Sequence, residues 1–596
     1  MTRPARPRIP NELGQLRTLP DDVAPDGVAA DGVLPGTFDV LPPRGRDGDA
    51  PAEVVVLGVG PNPATTRRAV SAALAGLRQR AIPSGGRIDL PVRFVECPAF
   101  YHYMDAASSG AWRADIPAAW TQAAPDDFSP LRLARALVVV YREAERLFPS
   151  FWGPLLGMAR AVRVAPALSL QPEGTAHAGP SSLRSRTVLL PGTEGSLLLP
   201  ELEAALAAEG LTPRRVNPDT LHADLPRLLA DQRPALFLSV NLQGLDAWGE
   251  RFHLLRACGV PVAVWCVDNP FHLLSALRGP WWRATRLCVT DASFIPLLQA
   301  HGAQQVMHLP LATGPEFFGP ELRGEGQPAS ERAGNDDAAG AALSSPASQS
   351  TTLDLKPVVF VGRSAFPGKG GFFAGQRIAP ALLDEARGLL ATPGPRPDFH
   401  WWTARLGIDT LWPGNAVRAA GLGAEECALA RRVRCLHAAA PRGLTVFGDD
   451  GWQPLLMPGT DLRPPVDYYA TLPAVYRAAR WSLNVTSLLL PAGLTQRHFD
   501  VWAAGGFCIT DDTPGLDIFP PELRREIAFS PARSGGEDTA SPPGTGDAPS
   551  LGALLDRLER APTLRGDLAA AWRAHILSGH TYRHRVRALC EALGLE

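Results

Sequence analysis

The chain has 596 residues, which at about 100–200 residues per domain gives three or four domain-sized units, or two large ones with tails. Hydrophobic residues make up 45% and charged residues 20%, a globular profile, and 58 basic against 60 acidic residues leave a net charge of -2. That balance excludes a general nucleic-acid binder and gives no bulk reason to bind an anionic membrane.

In chain order, residues 1–50 are rich in Pro, Gly, Asp and Arg and read as a disordered tail. No apolar leader opens the chain and no run of 18 apolar residues follows, so the expected compartment is the cytoplasm and no transmembrane segment is expected. Order begins at Glu53-Val-Val-Val-Leu-Gly-Val-Gly60, a strand and glycine loop followed by a helix over 64–80. Strands are then expected at 92–95, 215–216, 234–240, 260–267, 286–290 and 305–309, with helices over 131–147, 197–209, 245–258 and 292–301. A low-complexity linker or insertion spans 319–354. Alternation restarts with strands at 357–361, 444–447, 481–485 and 507–510 and helices over 425–438, 472–479 and 495–504. A soft insertion at 530–550 precedes helices over 551–560, 563–577 and 582–593.

Short apolar strands alternating with helices predict parallel sheets covered on both faces. The expected domains are 51–318 and 355–596, each Rossmann-like, facing across a cleft, with helices at the C-terminus. Ligands of such sheets bind at the carboxyl ends of strands. The eight cysteines, Cys97 to Cys590, are scattered without Cys-x-x-Cys and read as reduced core residues rather than disulfide or zinc ligands.

Five constellations could carry chemistry. Gly58-Val-Gly60 makes either a tight turn or a backbone approach to substrate; Pro61 and Pro63 break a full dinucleotide fingerprint. Asp268-Asn269-Pro270 follows a buried strand, so either Asp268 lines the cleft, or Asp268 or Asn269 caps the next helix. Arg363 and Lys369, one of only two lysines, flank a glycine-rich loop that either neutralises a diphosphate or is a solvated basic loop. Thr495 reads as an N-cap, with Arg497 beside the free amides of that turn as an anion site. Asp500, one turn on, either accepts from a ribose diol or forms an i,i+3 pair with Arg497; Gly505-Gly506 ends the helix. His580 and His584 have i,i+4 spacing but no third ligand, and no Asp-x-Asp occurs outside Asp47-Gly-Asp49 in the tail, so no metal site is expected.

Val475-Tyr-Arg-Ala-Ala-Arg-Trp-Ser-Leu-Asn484, Gln496-Arg-His-Phe-Asp500 with Ala504-Gly-Gly-Phe-Cys-Ile-Thr-Asp511, and His580-Thr-Tyr-Arg-His-Arg585 resemble the CgeB-type, spore-maturation-like glycosyltransferases. Leu287-Cys-Val-Thr-Asp291 resembles the end of that family's N-terminal half. The resemblance covers about 235–315 and 440–595. It implies a GT-B fold, with the nucleotide-sugar donor on the C-terminal domain and a glycan, lipid-linked glycan or protein acceptor on the N-terminal one. It implies metal-independent transfer without a cofactor, with retention, in bacterial cell-surface glycan assembly. In related enzymes a Glu-x7-Glu motif sits at the donor helix; here its positions hold Ala492 and Asp500. The expected roles are Asp268 at the reacting centre; Arg363, Lys369, Thr495, Arg497, Asp500, Gly505 and Gly506 on the donor; and Gly58, Gly60 and Asp291 on the acceptor. Two rivals stand beside this reading: a degenerate member that binds without turnover, and a dinucleotide-dependent oxidoreductase or epimerase.

Overall fold

The computed structural model describes residues 7–19, 36–44, 51–81, 90–164, 185–196, 198–319, 353–392, 394, 396–532 and 548–595. The expected linker at 319–354, the insertion at 530–550, Asp47–Asp49 and most of the tail lie largely or wholly outside them.

Nineteen strands are described, four sheets among them. β1 (Arg8–Pro10) and β2 (Leu16–Thr18) pair antiparallel. The first large sheet holds β3 (Phe38–Leu41), β4 (Val54–Leu57), β5 (Val92–Val95), β6 (Thr121–Gln122) and β7 (Leu137–Tyr141), in the order β3-β7-β4-β5-β6. Only β3 runs antiparallel to its neighbour. The second is fully parallel: β8 (Thr187–Pro191), β9 (Thr212–Val216), β10 (Leu236–Val240), β11 (Val262–Cys266), β12 (Arg286–Val289) and β13 (Gln305–His308), ordered β13-β12-β11-β10-β8-β9. The third is β14 (Val358–Val361), β15 (Leu444–Phe447), β16 (Asp461–Arg463), β17 (Trp481–Asn484), β18 (Cys508–Asp511) and β19 (Ala528–Phe529). Its order, β16-β15-β14-β17-β18-β19, is the doubly wound 3-2-1-4-5-6 arrangement of nucleotide-binding sheets.

Three expectations are corrected. Residues 51–318 hold two sheets, not one: β4 to β7 pair with one another and with β3, and β8 to β13 pair only among themselves. The segment 131–147 is not one helix: Leu137-Val-Val-Val-Tyr141 is a buried central strand, since a β-branched run packs better on a pleated surface than in a helix. The tail contributes β1, β2 and β3, whose Phe38 and Leu41 pack on the first core.

Each sheet has its own core. Val54–Leu57, Leu137–Tyr141 and Trp152 build the first. The second sheet buries both faces, one under Phe252, Trp282 and Phe294, the other under Leu199, Leu202 and Leu206. The third buries Val358–Phe360, Trp481, Phe499 and Trp502, with Trp572 stacked on Trp502 at 5.2 Å between ring centroids.

Two helices tie the halves together. Val417–Ala439 buries Val417, Ala420 and Ala424 in the second core and Cys435 and Leu436 in the third. The last helix, Tyr582–Leu593, returns to the second sheet, where Tyr582, Val586 and Leu589 pack beside Leu199 and Leu202. Arg583 and Arg587 pair there with Glu209 at 2.6 and 2.9 Å. The second and third sheets, with these C-terminal helices, form the two linked Rossmann-like domains, and the first sheet is separate from both. All eight cysteines are buried and unpaired. Among the described residues, no helix is long and apolar enough to cross a membrane.

Candidate functional site

The carboxyl edges of the second and third sheets face each other. Asn269, after β11, donates from Nδ2 to the Leu489 carbonyl beyond β17 at 3.0 Å. Asp291, after β12, accepts on Oδ2 from the Ala492 amide at 2.9 Å. Tyr469, after β16, donates to Glu201, after β8, at 2.7 Å. Each contact joins segments that follow the carboxyl ends of strands in two parallel sheets, which is where ligands of such sheets bind.

On the third sheet, Asn484 closes β17 with a fully buried side chain. Its Oδ1 accepts from Arg497 Nε at 2.8 Å and from the Thr495 hydroxyl at 3.0 Å. Its Nδ2 reaches Thr510 Oγ1 at 3.1 Å and lies 3.2 Å from His498 Nε2. Burial lowers the His498 pKa to about 4, so the ring is neutral and the network carries no second cation. Arg497 also donates to the Val361 carbonyl at the end of β14, and its guanidinium lies 5.6 Å from the centre of the Phe360 ring. Gly362 permits this: a Cβ there would lie 3.3 Å from the guanidinium.

A second guanidinium comes from the helix Val417–Ala439. Arg432 donates to the carbonyls of Arg363 and Ser364, at 3.0 and 3.3 Å, and pairs with Glu425 at 3.2 Å. Burial lowers its pKa, Glu425 opposes this, and the charge of Arg497 lowers it further. Two like charges held at the end of one strand form a site that an anion stabilises. The loop beyond β14 is pinned by Ser364, whose hydroxyl donates to Asp449 at 2.6 Å.

On the second sheet, Asn241 and Leu242 follow β10 with φ of +52° and +65°, left-handed backbone that non-glycine residues rarely adopt. Asn241 Oδ1 accepts from the Val267 amide at 2.9 Å, and its Nδ2 donates to Asp268 Oδ2 at 2.7 Å. Asp268 is exposed, yet surrounding protein desolvates its carboxyl and raises its pKa, against the lowering by Asn241. Asn269 caps the helix Pro270–Leu274, accepting from the amides of Phe271 and His272, so the capping reading holds for Asn269.

The remaining expected site residues divide. Arg363 is exposed beside Arg432, whereas Lys369 already pairs with Glu426 at 2.9 Å. Thr495 is not an N-cap: the helix is only Arg497–Ala503, its cap residue Gln496 is helical, and the Thr495 hydroxyl serves Asn484. Asp500 does not face a ribose pocket. It is 1% exposed, its Oδ2 accepts from Tyr468 at 2.6 Å and the Thr313 hydroxyl also faces its carboxyl. Burial pushes its pKa up to about 8, so at neutral pH the acid is mostly protonated; it forms no ion pair with Arg497 among the described residues.

Gly505 and Gly506 end the Arg497 helix at the opposite edge of the sheet. Gly505 has φ of +83°, and a Cβ on Gly506 would lie 2.4 Å from the Tyr476 carbonyl. Asp291 is buried as a domain clasp, its Oδ1 accepting from the amide and hydroxyl of Ser293. Gly58 and Gly60 lie in the loop after β4 of the first sheet. Their loop wraps the buried carboxylate of Glu96, which accepts from the amides of Val59 at 2.7 Å and Cys97 at 2.8 Å and is also bonded by the Gly60 amide. His584 Nδ1 lies 2.7 Å from the Thr581 hydroxyl at the start of the last helix.

Sequence reasoning missed Arg432, Asn484 and Asn241. Each asparagine is a polar residue at the carboxyl end of a buried strand, a signal that could have found them. Arg432 stands in an arginine-rich helix with nothing local to single it out.

Residues 431–591 match the family model for glycosyl transferase-like proteins, a span that includes Arg432, Asn484 and Arg497. No curated protein matches the chain. Among solved structures it is similar to T4 phage BGT in complex with its UDP-glucose substrate, at 8% identity and a TM-score of 0.34, over 68% of this chain and 98% of that one. It is similar to trehalose-6-phosphate synthase OtsA at 11% identity and a TM-score of 0.33, over 91% and 99%. A UDP-forming trehalose-phosphate synthase from Burkholderia xenovorans gives 11% and 0.32, over 68% and 98%. At such TM-scores these likenesses add nothing to the reading of the site.

Proposed function

We propose that the protein is a glycosyltransferase that moves a sugar from a nucleoside diphosphate donor to a glycan, lipid-linked glycan or protein acceptor in the cytoplasm. The observation that carries this is the pair of guanidiniums, Arg497 and Arg432, held at the carboxyl end of β14 in a doubly wound sheet. The match of residues 431–591 to glycosyl transferase-like proteins supports it.

In this reading the leaving diphosphate sits against Arg497 and Arg432, with Arg363 at the rim. Fixed guanidiniums stabilise charge as it develops on the leaving group, with no reorganisation during reaction. They supply the positive charge that a divalent cation supplies elsewhere, so transfer proceeds without metal. Asp268, oriented by Asn241, accepts from the acceptor hydroxyl. Transfer with retention leaves Asp268 as a contact; inversion would make it the base. The anomeric configuration of the product separates these roles.

The test is calorimetric binding of UDP, GDP, dTDP and ADP to the full chain without metal, then with magnesium, for wild type and Arg497→Ala. Selective binding of one base, lost in the variant and unchanged by magnesium, is expected. No binding of any of the four to a folded chain would overturn the reading. Binding without turnover is a second reading, favoured by the absence of a carboxylate at Ala492 and the burial of Asp500. A donor that binds but is neither hydrolysed nor transferred would decide for it.

A further inference from the structure

A cavity of about 500 Å³ lies where the first sheet's unit meets the second's. Its walls are β3, β7 and the helices Arg142–Leu147 and Pro149–Val164 on one side, and the helices Leu221–Asp231 and Glu250–Ala257 on the other. Five arginines and three carboxylates line it, five minus three leaving two positive charges. Arg142 pairs with Asp39 at 2.5 Å, Arg160 with Glu145 at 3.0 Å, and Arg146 with Glu143 at 2.9 Å.

The other two arginines have no carboxylate partner among the described residues. Arg163 donates only to backbone carbonyls, those of Leu41, Pro42 and Ala136 among them, and burial alone lowers its pKa to about 10. Arg251 donates to the Gly244 carbonyl at 3.0 Å, while its buried Nε has no hydrogen-bond partner. A partly buried cation without a counter-ion is costly, and two on facing walls favour an anion between them. The volume suits one or two sugar rings, and Leu41, Val140, Leu225 and Leu254 supply apolar surface for their C–H faces.

The cavity is tied to the reacting edge by one loop. Arg251 holds Gly244, and three residues earlier Asn241 holds Asp268. Three residues span at most about 11 Å. Asp246 fixes the loop between, accepting on Oδ1 from the amides of Trp248, Gly249 and Glu250.

We propose that this cavity binds an anionic saccharide, one bearing a carboxylate or phosphate, as the anchoring end of the acceptor. The saccharide class rests on the transferase reading; the anion site rests on Arg163 and Arg251 alone.

The test titrates the full chain, at constant ionic strength, with glucuronate, glucose 6-phosphate, glucose and inorganic phosphate. Both charged sugars are expected to bind at least tenfold more tightly than glucose and than inorganic phosphate. Arg251→Gln weakens them about tenfold; Glu250→Gln, which removes a negative charge from the wall, tightens them; Arg497→Ala leaves them within twofold. Equal binding of glucose, equal binding of phosphate alone, or indifference to both wall variants would overturn the proposal. Should no nucleoside diphosphate bind while glucuronate still binds through Arg251, the transferase reading falls and the anion site stands.

Discussion

The loops after β4 and β14 each follow a strand flanked by two parallel neighbours, and each begins with a glycine, Gly58 or Gly362. What separates them is the residue that closes the neighbouring strand. Beside β4, Glu96 follows β5 and turns its carboxylate into the loop, taking the amides of Val59, Gly60 and Cys97. Beside β14, Asn484 ends β17 and turns its carbonyl oxygen to Arg497, fixing a cation at the edge. The first edge carries its own anion; the second presents positive charge. Strand-then-glycine therefore marks a place where an anion can bind, and one side chain on the adjacent strand decides whether the protein or a ligand provides it.

The largest expected effect breaks the second edge. Arg497→Ala weakens nucleoside diphosphate binding at least about 100-fold, near 3 kcal/mol, because a charge-assisted, geometrically fixed donor is lost. Glu96→Gln leaves that affinity within twofold. Calorimetry on both variants checks the pair, and loss of binding in Glu96→Gln would dissolve the distinction.

Next in size is the response of the first edge to pH. Burial raises the Glu96 pKa from 4.5 to about 7. A folded-state acid with a raised pKa contributes stability that is complete below the unfolded pKa and is lost as pH rises through the folded one. Relative to wild type, Glu96→Gln is therefore less stable by about 2 kcal/mol below pH 4.5, where one amide bond is lost. The gap closes between pH 4.5 and about 7. Denaturant unfolding of both proteins across that range checks it; a constant gap would mean that Glu96 stays ionised throughout.

Asp500 sharpens the comparison with a smaller change. Its buried acid, raised to about 8, stands one turn from Arg497 yet serves Tyr468. Asp500→Asn keeps an acceptor for Tyr468 without an ionisable proton. It is expected to lie within about 1.5 kcal/mol of wild type at pH 6, to gain on it as pH rises from 3.8 towards about 8 and to level off above that, with diphosphate affinity within twofold. A tenfold loss of affinity would return Asp500 to the donor site.

Much of the fold was legible because its strands are short, apolar and β-branched: Val54–Leu57, Leu236–Val240, Val262–Cys266 and Val358–Val361 stand where their runs placed them. Leu137–Tyr141 was hidden inside an arginine-flanked stretch that also fits a helix, and with it went the separation of the first sheet from the second. At the site, Arg497 was legible as a cation in the first turn of a helix and Asp268 as a polar residue after a buried strand. The surroundings of Asp500 were not, since Tyr468 lies 32 residues away in sequence and Glu201, whose charge also raises its pKa, 299. Local pattern shows which residue carries the charge; burial by distant segments decides whether it is ionised.

The smallest effects come from the glycines themselves. Gly58 and Gly505 share a φ of +83°, so an alanine at either meets the same left-handed strain, about 1–2 kcal/mol. Their surroundings differ. A Cβ on Gly505 meets nothing within 4 Å, whereas one on Gly58 lies 3.0 Å from the Ala144 Cβ and 3.1 Å from the Tyr141 Cβ, both in the packed first unit. Gly505→Ala should therefore cost the backbone strain alone, about 1 kcal/mol. Gly58→Ala should cost visibly more, because the neighbours cannot yield without moving the end of β7. Neither change should alter diphosphate affinity, since one residue ends a helix at the far edge and the other lines a loop that Glu96 already fills. Thermal unfolding ranks the two, and equal losses would mean that the first unit gives way around Gly58 as readily as open solvent does around Gly505.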